Sequence, residues 1–207
     1  DSGTLTLTAD SVTGNLSTSD SGTLTATVSS TFTGMTTDDA DTMTLNLNSG
    51  ATWNLTDSST VSTLNADGAN INLLDGTLGQ TLTTDSFAGS GATVYLDADG
   101  LTNTGNDHVY VTGTHTGTTA LHLSSTSNTW SGALGTVLAS VGDEQGSFVS
   151  DGETEAALYY YNLILASTTD NVTDGYNTDW YLEGFTKEAT DSEGHHTTVV
   201  RNLGGIT

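Results

Sequence analysis

The N-terminal part of this chain repeats itself at an interval of nineteen residues. Asp1-Ser2-Gly3-Thr4-Leu5-Thr6 returns as Asp20-Ser21-Gly22-Thr23-Leu24-Thr25, and a third copy, Asp41-Thr42-Met43-Thr44-Leu45, follows at nearly the same interval. A period of about twenty residues marks a stacked repeat architecture, because one such unit is too short to bury a core alone. Each copy alternates polar and apolar side chains, so each supplies β-strands. The expected fold is an all-β solenoid with about nineteen to twenty residues per coil. No segment carries a long 3.6-residue pattern, so no helix is predicted.

The alternation assigns side chains to the inside and the outside. Leu5, Leu24 and Met43, continued by Leu64, are expected to stack as one inward column. Val12, Phe32 and Trp53 recur at about twenty and form a second. Thr4, Thr6, Thr23, Thr25, Thr42 and Thr44 then face outward, where β-branched threonine suits a strand and bonds across rungs. At this period about seven or eight coils fit within residues 1–150, giving a shaft roughly 35–40 Å long at the usual strand spacing.

Composition agrees with a strand-rich chain and narrows its partners. About one residue in five of the 207 is threonine, and proline, which removes a ladder N–H, is absent. With no cysteine there is neither a disulfide framework nor thiol chemistry. The net charge is −23, and Lys187 and Arg201 are the only lysine and arginine. Nucleic acid is thereby excluded as a partner, since binding it requires cations against phosphates, and an anionic membrane surface is disfavoured on the same ground. The chain begins at Asp1 inside a repeat, so it is expected to be part of a longer protein.

From about residue 125 the character changes, with longer apolar and aromatic runs. Ala157 to Leu165 reads as a strand that pairs with Trp180 to Phe185 across a loop from Ser167 to Thr178. An open solenoid end exposes unpaired backbone and core, so this part is expected to be a cap. The expected division is coils over 1–124, a β-hairpin or sandwich-like cap over 125–186, and a polar tail or linker over 187–207.

Several passages resemble a known family. Ser49-Gly50-Ala51-Thr52-Trp53-Asn54-Leu55-Thr56 and Ser59-Thr60-Val61-Ser62-Thr63-Leu64 are similar to the C-terminal end of pertactin-like and AIDA-type autotransporter passengers. Gly105-Asn106-Asp107-His108-Val109-Tyr110-Val111-Thr112-Gly113, Leu121-His122-Leu123, Tyr161-Asn162-Leu163 and Trp180-Tyr181-Leu182 follow in the family's order, so the resemblance spans about residues 49–185. It implies a right-handed parallel β-helix whose C-terminal autochaperone region folds first and templates the coils behind it. It also implies the surface of a Gram-negative bacterium, or secretion through its outer membrane. The implied partners are the protein's own outer-membrane β-barrel, which this chain lacks, and the outer-membrane assembly machinery, with a host-surface ligand or self-association as the adhesive role.

Candidate chemistry is thin, and no catalytic, cofactor-binding or metal-ligating set is assigned. Asp38, Asp39 and Asp41 can offer oxygen ligands to calcium, but a solvated acidic turn explains them as well. Asp97, Asp99, Asn103 and Asp107 miss the spacing of a calcium loop. Glu193, His195 and His196 lie on a polar segment, and His108, His115 and His122 recur every seven residues without a ligand pattern. The Asp-Ser-Gly copies echo a serine-protease motif, yet their repetition marks turns, and a triad needs a placed histidine and acid. A lyase would need a base among clustered acids, and both basic residues fall near the C-terminus. The outward Thr-X-Thr pattern, which can bind ice on some solenoids, is expected to break after about three rungs and serve as a stabilising ladder. The chain is therefore expected not to be an enzyme, the alternative being a β-helix enzyme or a protease passenger whose catalytic domain lies outside it.

Overall fold

A computed structural model describes residues 3–40, 42–131, 134–156, 159–190 and 196–203. Asp1, Ser2, Asp41, Ala157, Leu158, Glu193 and His195, singled out above, lie outside these. Among the described residues there is no helix, and so none long and apolar enough to cross a membrane.

Fourteen strands build a β-solenoid. The first coils contain β1 (Thr4–Thr13), β2 (Leu16–Thr18), β3 (Thr23–Thr33), β4 (Thr36–Asp38), β5 (Met43–Leu47), β6 (Thr52–Asn54) and β7 (Ser59–Asn65). The later ones contain β8 (Asn70–Asn72), β9 (Thr81–Ala88), β10 (Thr93–Ala98), β11 (His108–Thr116), β12 (Thr118–Ser125), β13 (Val137–Glu144) and β14 (Ser147–Ser150). Every ladder among them is parallel, and the pairings define three faces. The first face carries the threonine repeat, the second the Phe32–Trp53 column, and the third starts at β2. About five turns separate β2 from the last rung of the third face, in β13.

That is fewer turns than a constant nineteen-residue period predicts, because the coil lengthens along the chain. Thr4 pairs with Thr23, Ser59 with Leu82, Thr93 with Ala120 and Val109 with Ala139, intervals of nineteen, twenty-three, twenty-seven and thirty. The growth sits at the corner between the second and third faces. The connections there run over residues 14–15, 34–35, 55–58, 73–80, 99–107 and 126–136. Extra residues are accommodated at a solenoid corner because a loop there needs no rung above it, whereas an insertion inside a face would break every column. At the corner between the third and first faces the opposite occurs. In the first coils four sequence positions, 19–22 and 39–42, separate the strands, and later a single residue, Ser62 and then Asp85, does so inside continuous strands.

The core consists of the inward columns. Val12, Phe32, Trp53, Ile71, Val94 and Leu121 stack in register on the second face. Phe32 and Trp53 are parallel rings 5.4 Å apart, and the indole N–H donates to Gly34 O at 2.9 Å. On the first face Leu5, Leu24 and Met43 align as expected, but the next residue in that column is Ser62, not Leu64. Leu64 stacks on Leu45, because the interval on this face is still nineteen and Leu64 lies twenty-one residues after Met43. The neighbouring column runs Leu7, Ala26, Leu45, Leu64, Phe87, His115 and Glu144, so it begins apolar and ends charged. Outside, Thr6, Thr25, Thr44, Thr63, Ser86 and Thr114 form a hydroxyl column longer than the three rungs expected.

The parallel ladders continue through β14, so the compositional change at residue 125 falls within the last coils. Beyond them lie β15 (Glu153–Ala156), β16 (Tyr159–Thr168), β17 (Thr178–Thr190) and β18 (His196–Leu203), all antiparallel. The expected hairpin is present: Leu163 faces Phe185, Leu165 faces Leu182 and Ser167 faces Trp180. Within the stretch expected as a polar tail, β17 extends to Thr190 and β18 pairs with it. At the other end β1 is paired on one edge, and inward-column Leu5 is 61% exposed.

Candidate functional site

The richest polar chemistry lies at the seam where the solenoid meets the antiparallel unit. β17 crosses to pair antiparallel with β13, setting Ala139 opposite Trp180 and Val141 opposite Thr178. Backbone bonds from Gly135 N to Leu182 O and from Leu182 N to Thr136 O extend the contact. The last parallel rung of the third face is thus covered by a strand of opposite direction, which satisfies its edge and stops further stacking.

Beneath that strand lies the charged end of the first-face column. His115 is fully buried, stacked on Phe148 at 4.2 Å and tilted against Phe87 at 5.3 Å. Its Nδ1 meets Glu144 Oε1 at 2.7 Å and its Nε2 meets Thr119 Oγ1 at 3.0 Å. The Glu144 carboxylate also accepts Gly146 N–H at 2.8 Å and the Trp180 indole N–H at 2.8 Å. Burial alone would raise the Glu144 pKa, but the bonds and charge from His115, with Gly146 and Trp180, hold it below the usual 4.5.

Thr119, His115 and Glu144 therefore have the outline of a hydroxyl–imidazole–carboxylate triad. The outline is structural. Thr119 and His115 are both fully buried, and the Thr119 hydroxyl donates to Gly89 O at 2.9 Å, so it is not held for attack on a substrate.

A second chain of bonds crosses the seam on the third face. His108 Nε2 lies 2.9 Å from Ser140 Oγ, Ser140 donates to Thr173 Oγ1 at 3.1 Å, and Thr173 donates to Asp179 Oδ2 at 2.8 Å. Burial pushes the His108 pKa down to about 4, against a smaller upward pull from Asp179. Tyr110 stacks on His108 at 4.0 Å and meets Tyr176 of the β16–β17 loop at 5.6 Å.

The three histidines spaced by seven are not brought together. His108 is on the third face, His115 on the first and His122 on the second, where His122 Nδ1 pairs with Asp151 Oδ2 at 2.7 Å. Described members of the acidic clusters serve as hydrogen-bond acceptors within the fold. Asp38 is buried, Asp39 is exposed and Asp41 is outside the described residues. Asp38 accepts from Thr18 Oγ1, Thr42 N, Met43 N and both the N–H and hydroxyl of Ser62. Burial raises its pKa, and these donors outweigh that and bring it well below the usual 3.8.

Asp97 and Asp107 also turn inward. Asp107 accepts Gln80 N–H at 2.9 Å and Asp97 N–H at 2.8 Å, and Asp97 accepts Asp75 and Gly76 N–H at 2.9 and 2.8 Å. Burial, opposed by those two amides and reinforced by the charges of Asp97 and Asp75, pushes the Asp107 pKa up to about 6. Asp99 caps its own turn through Leu101 N–H and Thr102 Oγ1. Among the described residues no group of three or more histidines and acids is placed to hold a metal ion. His196 belongs to β18, and Glu193 and His195 lie outside the described residues.

The remaining candidates resolve as structural parts. Asp20 takes a left-handed φ of 56°, and Gly22 N–H donates to Ser19 O, so the second Asp-Ser-Gly copy is a turn. Lys187 Nζ sits 3.7 Å from the Tyr159 ring centroid in the antiparallel unit, away from the buried carboxylates of the coils. No protein-family model matches the chain, and no curated protein sequence matches it.

Proposed function

We infer that this chain is a shaft-and-cap portion of a bacterial autotransporter passenger. It serves as a non-enzymatic surface scaffold for adhesion or self-association, and its C-terminal part promotes folding during secretion. The carrying observation is the seam: β17 lies antiparallel across β13, and the indole of Trp180 closes the charged end of a core column over Glu144 and His115. A unit that ends the stack while satisfying its last rung offers a preformed edge. Each new coil then adds to an existing rung without closing a long-range contact from a disordered chain. The ordered passages that resemble autotransporter passengers run through this same seam, and the three-faced solenoid fits the passenger architecture. The −23 charge supports a solvated, extracellular surface with no role for nucleic acid. The closed Thr119–His115–Glu144 arrangement supports a structural use of the chain's best catalytic look-alike.

Refolding followed by far-UV circular dichroism tests the cap. Removing residues 153–207, or breaking the seam with Leu182→Asp in the full chain, is expected to abolish cooperative refolding of the coils. Unchanged refolding of the N-terminal repeats in both variants would remove the templating role. The origin is tested by the parent gene beyond Thr207: an outer-membrane barrel is expected, and a soluble domain in its place would overturn the passenger reading.

A further inference from the structure

The outward side of the second face changes chemistry along the shaft. One column runs Asn54, Asn72, Tyr95, His122 and Asp151, and the adjacent one runs Thr52, Asn70, Thr93 and Ala120. Tyr95 is the first large side chain on this surface, so it makes a step above the two flatter rungs before it. Thr52, Asn70, Asn72, Leu74 and Tyr95 line an open cleft of about 280 Å³ at that step.

Each wall has an identifiable cause. The ladder bond from Asn72 Nδ2 to Asn54 Oδ1, at 3.1 Å, fixes the floor. Asn72 Oδ1 accepts Leu74 N–H at 3.1 Å, which turns the 73–80 loop so that Leu74 stands beside the floor. Tyr95 is braced on the next rung by His122, at 5.1 Å between centroids, and His122 is itself paired with Asp151. The Asn70 amide, the Thr52 hydroxyl and the Tyr95 hydroxyl make no side-chain hydrogen bond within the described residues, so their capacity is available to a ligand. None of the five lining residues is charged, on a chain with 25 acidic residues.

We propose that this cleft binds a neutral oligosaccharide, with Tyr95 and Leu74 packing against the sugar C–H surface and Asn70, Asn72 and Thr52 reading its hydroxyls. An aromatic ring beside several amides matches a ligand that is apolar on its faces and dense in hydroxyls at its edges. An acidic glycan would meet the field of the −23 chain with no cation in the cleft to receive it. Successive rungs repeat the same strand spacing along the face, so an extended polymer can lie along the shaft instead of entering a pocket end-on. This deepens the adhesive part of the passenger reading by naming a ligand class. The cleft is remote from the β13–β17 seam in sequence and pairing, so loss of sugar binding and loss of templated folding are separate outcomes.

Titration calorimetry on the full chain tests it with cellohexaose, maltohexaose and chitohexaose in turn, and with a heparin-derived hexasaccharide as the acidic comparison. At least one neutral hexasaccharide is expected to bind with a Kd of about 1 mM or tighter, insensitive to salt. Tyr95→Ala is expected to weaken it by about tenfold or more, and Asn70→Ala to weaken it less, with the circular dichroism spectrum unchanged. Tyr110→Ala, on the third face, is expected to leave it intact. Binding of heparin alone, no binding of any neutral probe at millimolar concentration, or full affinity in both folded Tyr95→Ala and Asn70→Ala would overturn the proposal.

Discussion

Asp38 sits on the inward side of β4, at a position where the alternation of a solenoid calls for an apolar side chain. Its burial follows from the change of turn length on the third face. Thr36 N–H donates to Ser59 Oγ and Asp38 N–H to Thr60 Oγ1, so β4 bonds to side chains of β7 and not to its backbone. Thr42, Met43 and Ser62 then donate their N–H groups to the Asp38 carboxylate. One carboxylate thus replaces the ladder where four-residue spacings between strands give way to one-residue bends. Asp38→Ala would leave the Thr42 and Ser62 N–H groups without their acceptor, at a cost of about 3 kcal/mol. Asp39→Ala, on the exposed neighbour, is expected to change stability by no more than about 0.5 kcal/mol. Urea unfolding of the two variants checks this, and equal midpoints would refute the ladder role. Because the folded pKa of Asp38 is depressed, its contribution is complete above the ordinary 3.8 and is lost as pH falls toward the folded value.

Among the elements, the first coils were the most legible and the last the least. Strict alternation fixed the inward columns through Trp53, since Leu5–Leu24–Met43 and Val12–Phe32–Trp53 both stack at the sequence period. Beyond Ser59 the added residues enter corner loops, which have no alternation to report them, and the local period becomes invisible. The histidines show the consequence. A spacing of seven moves along one coil from face to face, so His108, His115 and His122 diverge. The partners that do meet, His115 with Glu144 and His122 with Asp151, are each twenty-nine apart, one local coil. Knowing that coil length would have paired them from the sequence. At the seam, Glu144→Gln leaves buried His115 without its carboxylate and is expected to cost about 3 kcal/mol. Trp180→Phe keeps the ring and removes the donor, at about 1–2 kcal/mol. The double variant is expected to cost less than the sum, because both remove the 2.8 Å indole–carboxylate bond. Strict additivity in the double-mutant cycle would show that Trp180 does not close the column through Glu144.

For the whole molecule, the titrating groups that the fold perturbs act on stability in different pH ranges. Below about pH 4.5, protonation of Glu144 and Asp38, both held below their ordinary values in the folded state, removes their native bonds, so stability falls with acid. Between pH 5 and 6 two adjacent residues oppose one another. Asp107 is raised from 3.8 to about 6, so the folded state holds a proton the unfolded chain has released, and stability falls as pH rises. His108 is lowered from 6.5 to about 4, so the unfolded chain holds the extra proton, and stability rises with pH. Each single-proton difference has a limiting slope of about 1.4 kcal/mol per pH unit, and the two are opposite in sign. The wild-type chain is therefore expected to show a nearly flat stability between pH 5 and 6. Asp107→Asn should expose the histidine slope and gain stability as pH rises across that range. His108→Gln should expose the aspartate slope and lose it. Urea midpoints at half-unit pH steps read all three curves, and variants that both kept the flat wild-type profile would show that neither group changes its proton affinity on folding.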